Sequence, residues 1–192
     1  NDRVKSRGLL IAVGINENGN REIIGFEIAN TEKGLVKAVR RHFQGATWQR
    51  CQTHFSKNIL DATPKSLQPE VKEELRKLYD AVDIDSARSV RDQIINKYED
   101  RAPRAMTLLD EAFDDVTAVL TLPFKYRKKL RTTNMVERLN QEIRRRERVI
   151  RIFPNEPSVI RLMGALLIEL DEKWQSGRRY FDMQIYYQSI DS

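Results

Sequence analysis

The chain has 192 residues, of which 34 are Lys or Arg and 28 are Asp or Glu, so that its net charge is +6. Its single cysteine, Cys51, excludes an intrachain disulfide, which fits a reducing, cytoplasmic compartment. The sequence has no apolar run of about 18 residues, so we expect no membrane span. It begins at Asn1 without a signal peptide or a starting Met, and we expect a piece of a longer protein.

Two short apolar segments predict a β-hairpin near the start of the chain. Residues 9–15 (LLIAVGI) and 22–28 (EIIGFEI) flank Asn18-Gly19, a pair typical of tight hairpin turns. Because both segments are almost continuously apolar, we expect helices to cover the hairpin on both faces.

The rest of the chain is predominantly helical by pattern. Residues 46–55 (ATWQRCQTHF) predict a third strand that leads into a helix, and residues 123–130 read as a basic connector with two aromatic side chains. Apolar stripes at helical spacing predict helices at residues 31–43, 67–82, 87–98, 103–120 and 156–174.

The most informative stretch covers residues 131–155. Its periodicity predicts an amphipathic helix with an apolar side that comprises Met135, Val136, Leu139, Ile143 and Ile150. The other side comprises Asn134, Glu137, Gln141, Arg144, Arg145 and Arg148.

Residues 125–151 hold eleven basic and three acidic residues, an excess that favours a nucleic-acid partner. Among these cations, a lone carboxylate near the helix start suits metal binding beside phosphate; the alternative is a solvated basic helix whose N-terminal Glu137 complements the helix dipole.

Cys51 and His54 form a Cys-x-x-His pair at the end of the predicted third strand. A structural zinc site needs about four ligands, and the chain offers only His42 besides this pair. Packing or hydrogen bonding is therefore favoured over a zinc site.

Several segments together, in this order, resemble the Mutator-type transposases of bacterial insertion sequences. They are GFEIANTE, GATWQRCQTHFSKNIL and TTNMVERLNQEIRRRERVIRIFPNE. The resemblance implies a DDE active site in which Glu137 is the last acid. It implies Cys51, His54 and Asn134 as neighbours of that site. The basic residues then expected to contact DNA are Lys128, Lys129, Arg131, Arg138, Arg144, Arg145 and Arg148.

The resemblance also implies a ribonuclease-H-like α/β fold, here with an incomplete sheet and a predominantly helical content. Residues 1–55 and 122–175 would be the remnant of the catalytic domain, residues 56–121 a helical insertion, and residues 176–192 a C-terminal tail. The implied ligands are Mg²⁺ or Mn²⁺, with Glu137 as a ligand, and the implied partner is DNA at the terminal repeats of the element. A homo-oligomer is compatible with the family, a membrane partner is not expected, and the implied location is the bacterial cytoplasm, at the nucleoid.

The sequence departs from the family pattern at the first two acids. The strand that bears the first Asp would precede the chain, and Asp2 falls in the wrong place. The segment GFEIANTE runs directly into KGLVKAV, so the strand that bears the second Asp is missing, and neither Asn30 nor Glu32 replaces it.

We therefore expect a catalytically incomplete transposase fragment that binds metal weakly and exposes unpaired strand edges. Two alternatives stay open. One is a nucleic-acid-binding module without enzymatic activity that uses the basic helix 134–148. The other is a helical protein-interaction domain.

Overall fold

The computed structural model describes residues 8–29, 49–150 and 152–190. Within these ranges the chain is mostly helical with a small antiparallel sheet, as the sequence predicts. No helix in the same ranges is both long and apolar enough to cross a bilayer. The chain divides into two compact units, Asn1–Ala46 with Asn134–Ser192, and Thr47–Thr133. The predicted helix at residues 31–43 lies outside the described residues.

The first unit contains the predicted hairpin, with strands β1 (Gly8–Ile15) and β2 (Arg21–Ala29). The side-chain oxygen of Asn16 closes the turn by accepting hydrogen bonds from the backbone N–H groups of Asn18 (3.1 Å) and Asn20 (3.0 Å). Gly19 has φ = +82°, a conformation that glycine adopts without strain. The local Asn-Gly signal thus predicts this element correctly.

A β-bulge keeps the apolar side chains of the hairpin on one face. Ala12 pairs with Gly25 and Val13 pairs with Ile23, so that Ile24 is an extra residue on β2. The side chains that face the helices are Leu9, Ile11, Val13, Ile23 and Phe26. Ile24 is 52% exposed on the opposite side. The expectation of helices on both faces is therefore met on one face only within the described ranges.

Two helices pack on that face, α7 (Asn134–Glu147) and α8 (Glu156–Gln175). Their shared core comprises Leu139, Ile143, Met163, Leu166 and Leu167. The side chain of Asn155 caps α8 by accepting from the N–H of Ser158 at 3.0 Å. Both predicted helices are confirmed, except that α7 ends before Ile150, which is 39% exposed rather than buried.

The C-terminal segment docks on the hairpin turn. The backbone N–H groups of Tyr180 and Phe181 both donate to the carbonyl of Gly19, at 2.8 and 3.0 Å. Phe181 is buried, and a final helix, α9 (Gln184–Ile190), follows it. The turn and the segment after α8 are therefore tied together.

The second unit is entirely helical in its described part, residues 49–133. Its helices are α1 (Gln52–Asp61), α2 (Gln68–Tyr79), α3 (Ile84–Tyr98), α4 (Pro103–Glu111), α5 (Phe113–Thr117) and α6 (Phe124–Leu130), with a 3-10 turn at Ala118–Thr121. The largest side chains in its core include Tyr98, Phe55, Phe113, Ile59, Leu75 and Leu78.

Four details of the second unit differ from the prediction. Val82 lies beyond α2 and is 77% exposed, and the basic connector at 123–130 contains a helix. No strand is found at residues 49–51, and residues 46–48 lie outside the described ranges.

The fourth difference is that the helix predicted at 103–120 is broken. The side-chain amide of Gln49 donates to the carbonyl of Val116 (3.1 Å) and accepts from the N–H of Val119 (2.7 Å). These two bonds occupy backbone groups that a continuous helix would use itself.

Candidate functional site

The exposed face of α7 carries the predicted carboxylate and basic residues in a single stripe. Glu137, Gln141, Arg144 and Arg148 follow one another at intervals of four, three and four residues, and all four are exposed. Arg148 lies in the turn directly after α7, where its N–H still donates to the carbonyl of Arg144 at 3.1 Å. At about 1.5 Å per residue, Glu137 and Arg148 are roughly 16 Å apart along the helix axis. Leu139 and Ile143 hold this orientation because they are buried on the opposite side. The acidic residue lies near the N-terminal end and the arginines near the C-terminal end, which is the arrangement that the helix dipole favours.

A network of ion pairs occupies two other arginines of α7. Hydrogen bonds from Arg145 and Arg146 lower the pKa of Glu142 to about 2. Arg146 also pairs with Glu169 of α8 at 3.1 Å, and Lys173 pairs with the same carboxylate at 2.7 Å. Arg146 therefore joins α7 to α8 through Glu169. Arg145 pairs with Glu142 within α7.

The other two arginines of α7, and Arg148 directly after it, differ from this pair. Arg138, Arg144 and Arg148 are exposed, and no carboxylate of the described residues forms an ion pair with them. Their positive charges therefore face solvent uncompensated by the described part of the chain, an arrangement suited to a polyanion. Asn134 is the first residue of α7 and is also exposed.

The other predicted basic residues belong to the second unit. Lys128 and Lys129 are exposed on α6. Arg131 is engaged within the unit, since its guanidinium pairs with Asp80 at 2.7 Å and its carbonyl accepts from the N–H of Gln52 at 2.9 Å. The predicted basic set is thus divided between two units.

Cys51 lies at the N-terminus of α1, where backbone N–H groups are not used within the helix. Partial burial raises the pKa of its thiol. Hydrogen bonds from the backbone of His54 and from the side chain and backbone of Thr133 outweigh that effect and lower the pKa to about 7. The Thr133 Oγ1 to Cys51 Sγ distance is 3.5 Å. Cys51 therefore fastens α1 to the residue at which the second unit ends.

Two glutamines, Gln49 and Gln52, bind the start of α1 to the carbonyl of Val116. The sequence alone did not indicate this role. Gln52 is buried and donates to the carbonyl of Val116 at 2.8 Å, next to the bond from Gln49. The backbone N–H of Arg50 donates to the carbonyl of Asp115 at 2.7 Å. The only sequence signal for these contacts is the placement of Gln49 and Gln52 three residues apart beside an apolar run.

The described residues do not assemble a metal site. Within these ranges no three His, Cys, Asp or Glu side chains come close enough to hold an ion. His54 is exposed one turn beyond Cys51, and both belong to the second unit, whereas Glu137 belongs to the first.

Comparison with known proteins identifies the class of this chain. The sequence model of the family described as "Transposase, Mutator family" matches residues 28–177. The chain is 37% identical over 212 residues to a transposase for insertion sequence element IS256 in transposon Tn4001 of Staphylococcus aureus. It is 36% identical over 208 residues to the transposase for ISRM5 of Rhizobium meliloti, and 34% identical over 211 residues to that for IS1081 of Mycobacterium tuberculosis.

These relatives are insertion-sequence transposases, and the matches cover 94–95% of the chain. The chain belongs to the Mutator family of transposases, as the resemblance indicates. It spans about half the length of these relatives, since the matches cover 54%, 52% and 51% of them.

The alignments also reveal residues that this chain lacks. The match to the IS256 transposase spans 212 positions but covers 94% of 192 residues, which is about 180. Some 30 aligned positions therefore have no residue in this chain. The match to the IS1081 transposase, 211 positions for 95% of the chain, gives a similar difference.

Proposed function

We propose that this chain is a DNA-binding part of an insertion-sequence transposase that bears the third acid of a DDE site but is catalytically incomplete. The observation that carries the proposal is the exposed stripe of α7, where Glu137 shares a face with Arg144 and Arg148. The target is DNA at the terminal repeats of the element, and the expected metal is Mg²⁺ or Mn²⁺.

The unpaired cations of α7 support the DNA-binding part of the proposal. Lys and Arg that contact phosphates release counterions from DNA, which makes binding strong at low salt and tolerant of sequence. Arg138, Arg144 and Arg148 are available for such contacts without breaking an ion pair among the described residues. Arg145 contributes less, because a phosphate must compete with Glu142 for its guanidinium.

Two observations support the proposal that the DDE site of this chain is incomplete. About 30 positions of the IS256-transposase alignment have no residue here, which fits an internal deletion around the second acid. The described carboxylates also do not fit a two-metal site by themselves, because Glu137 offers only one or two oxygen ligands and Mg²⁺ requires six in near-octahedral order.

The proposed fold and domain division follow those of the family. The ribonuclease-H-like assignment, with residues 1–55 and 122–175 as the remnant domain and 176–192 as a tail, rests on the family. The helical unit Thr47–Thr133 supports a helical insertion at residues 56–121. The alternative, a nucleic-acid-binding module without enzymatic activity, would use the same basic helix 134–148 and would give Glu137 no catalytic role.

DNA binding is tested by the salt dependence of affinity. Binding of the full chain to a labelled duplex is measured by fluorescence anisotropy over a range of salt concentrations. Each lost phosphate contact lowers the slope of log K against log [salt] by about 0.9. The Arg144→Ala, Arg145→Ala, Arg148→Ala triple variant should lose about two units of slope, because Arg145 is partly engaged by Glu142.

A matched control removes the same number of charges elsewhere. Lys57, Lys65 and Lys72 are exposed in the helical unit and form no ion pair with a described residue. Their triple Ala variant should keep most of the slope. Equal losses in both triple variants would show a nonspecific effect of net charge, and an unchanged slope in the arginine variant would refute the α7 assignment.

A further inference from the structure

The first unit contains a second cationic feature, built around Arg21 at the start of β2. The Cζ atom of Arg21 lies 4.4 Å from the ring centroid of Trp174 and 5.3 Å from that of Tyr180. Trp174 belongs to the last turn of α8, and Tyr180 to the docked segment that follows α8. Three separate segments of the chain therefore meet at one guanidinium.

Hydrogen bonds fix all three segments around Arg21. The side chain of Gln175, next to Trp174, accepts from Asn16 Nδ2 at 3.0 Å and donates to the carbonyl of Arg21 at 3.4 Å. The N–H of Tyr180 donates to the carbonyl of Gly19 at 2.8 Å. The aromatic surroundings of Arg21 are thus organised before any ligand binds, which reduces the entropy lost on binding.

The stacked geometry leaves the N–H groups of the Arg21 guanidinium available to donate to an anion. Aromatic rings contact the faces of a stacked arginine, whereas its N–H groups point outward in the plane and match the two oxygens of a phosphate. Arg21 makes no side-chain hydrogen bond or ion pair with any described residue. It is half-buried, so an unpaired charge there is unfavourable until an anion joins it.

The pKa of Arg21 agrees with a cation that has no anionic partner among the described residues. Burial lowers the pKa of Arg21, Tyr180 partly opposes this, and the positive charge of Arg138 lowers the pKa further. Arg138 directly follows Glu137 and has no carboxylate partner among the described residues. An anion bound to Arg21 would offset both its partial burial and this repulsion.

We propose that Arg21, stacked on Trp174 and Tyr180, forms a subsite for a phosphate of the DNA backbone. The inference rests on the proposed function. The subsite lies at the turn end of the hairpin, in the same compact unit as the basic face of α7.

The test measures the salt dependence of binding to the same labelled duplex of arbitrary sequence. Arg21→Ala should lower the slope by about 0.9 and weaken binding roughly eightfold at 0.1 M salt, since one phosphate contact is lost. Arg21→Lys should keep most of the slope but bind several-fold less tightly, because lysine keeps the charge and loses the planar fork.

Arg161→Ala is the matched control. Arg161 is exposed on α8, thirteen residues before Trp174 and therefore roughly 20 Å from it along the helix. This variant should bind as the wild type does, and thermal melts should show that all variants are folded.

The outcomes separate the subsite from the proposed function. If Arg21→Ala equals Arg161→Ala while the α7 triple variant loses its slope, the subsite is wrong and the α7 surface stands. If Arg21→Lys equals wild type, the stacked geometry is irrelevant and the inference fails. A wild-type chain that does not bind the duplex overturns both proposals.

Discussion

Replacing Gly19 by alanine should release the C-terminal segment from the hairpin. Gly19 has φ = +82°, a region in which alanine costs about 1–2 kcal/mol. A Cβ added there would also clash with the backbone carbonyl oxygen of Phe181. The segment has to shift, which weakens the hydrogen bonds that Tyr180 and Phe181 donate to Gly19.

The size of the effect follows from these contacts. Each of the two hydrogen bonds contributes about 0.5–1.5 kcal/mol net. Loss of both bonds should lower the free energy of local opening by about 1–3 kcal/mol, which corresponds to roughly 5- to 140-fold faster amide exchange at one tenfold per 1.4 kcal/mol. Hydrogen exchange of the Tyr180 and Phe181 amides measures this directly.

Gly25→Ala provides the opposite control in the same hairpin. A Cβ at Gly25 meets no atom within 4 Å, and alanine in a strand is favoured over glycine by about 0.5–1 kcal/mol. Exchange at Tyr180 and Phe181 should stay unchanged or slow slightly in this variant. Unchanged exchange in Gly19→Ala would refute the docking of the segment, and with it the contact of Tyr180 with Arg21.

Further predictions concern titration and packing. Alkylation of Cys51 should reach half its maximal rate near pH 7, and Thr133→Val, which removes a hydrogen-bond donor to the thiol, should move that midpoint upward. Glu142 has its pKa lowered from 4.5 to about 2, so its contribution to stability is complete above pH 4.5 and is lost as the pH falls towards 2; in a carboxyl NMR titration Arg146→Ala should raise its midpoint. Leu139→Ala should destabilise the first unit by about 2–5 kcal/mol in denaturant melts while amide exchange in the Thr47–Thr133 unit stays unchanged.

Local signals predicted the elements that depend on neighbouring residues. The Asn18-Gly19 pair fixes the hairpin, and the apolar stripe of α8 fixes a helix of almost the predicted length. The bulge at Ile24 and the break after α5 were missed. The break depends on the side chain of Gln49, which is distant in sequence and bonds to backbone groups that a helix would otherwise use.

In the candidate site, too, features along one helix were predicted and contacts between distant segments were not. Periodicity predicted the exposed face of α7, which the structure has, and the family resemblance adds the proposal that Glu137 on this face is the third acid. Periodicity along one helix could not show that Arg146 pairs with Glu169 on another helix. Nor could it show that Arg21 stacks on Trp174, because that contact joins opposite ends of the first unit.

The central claim, a DNA-binding transposase fragment without a complete DDE site, is tested most directly by a cleavage assay. The chain is incubated with supercoiled plasmid and with pre-cleaved terminal substrates in Mg²⁺ or Mn²⁺, beside Glu137→Gln and a matched Glu147→Gln control on the same helix. The account predicts retained DNA binding with no nicking and no strand transfer. Cleavage that Glu137→Gln abolishes and Glu147→Gln preserves would contradict it, because other residues or a second chain would then supply the missing acids.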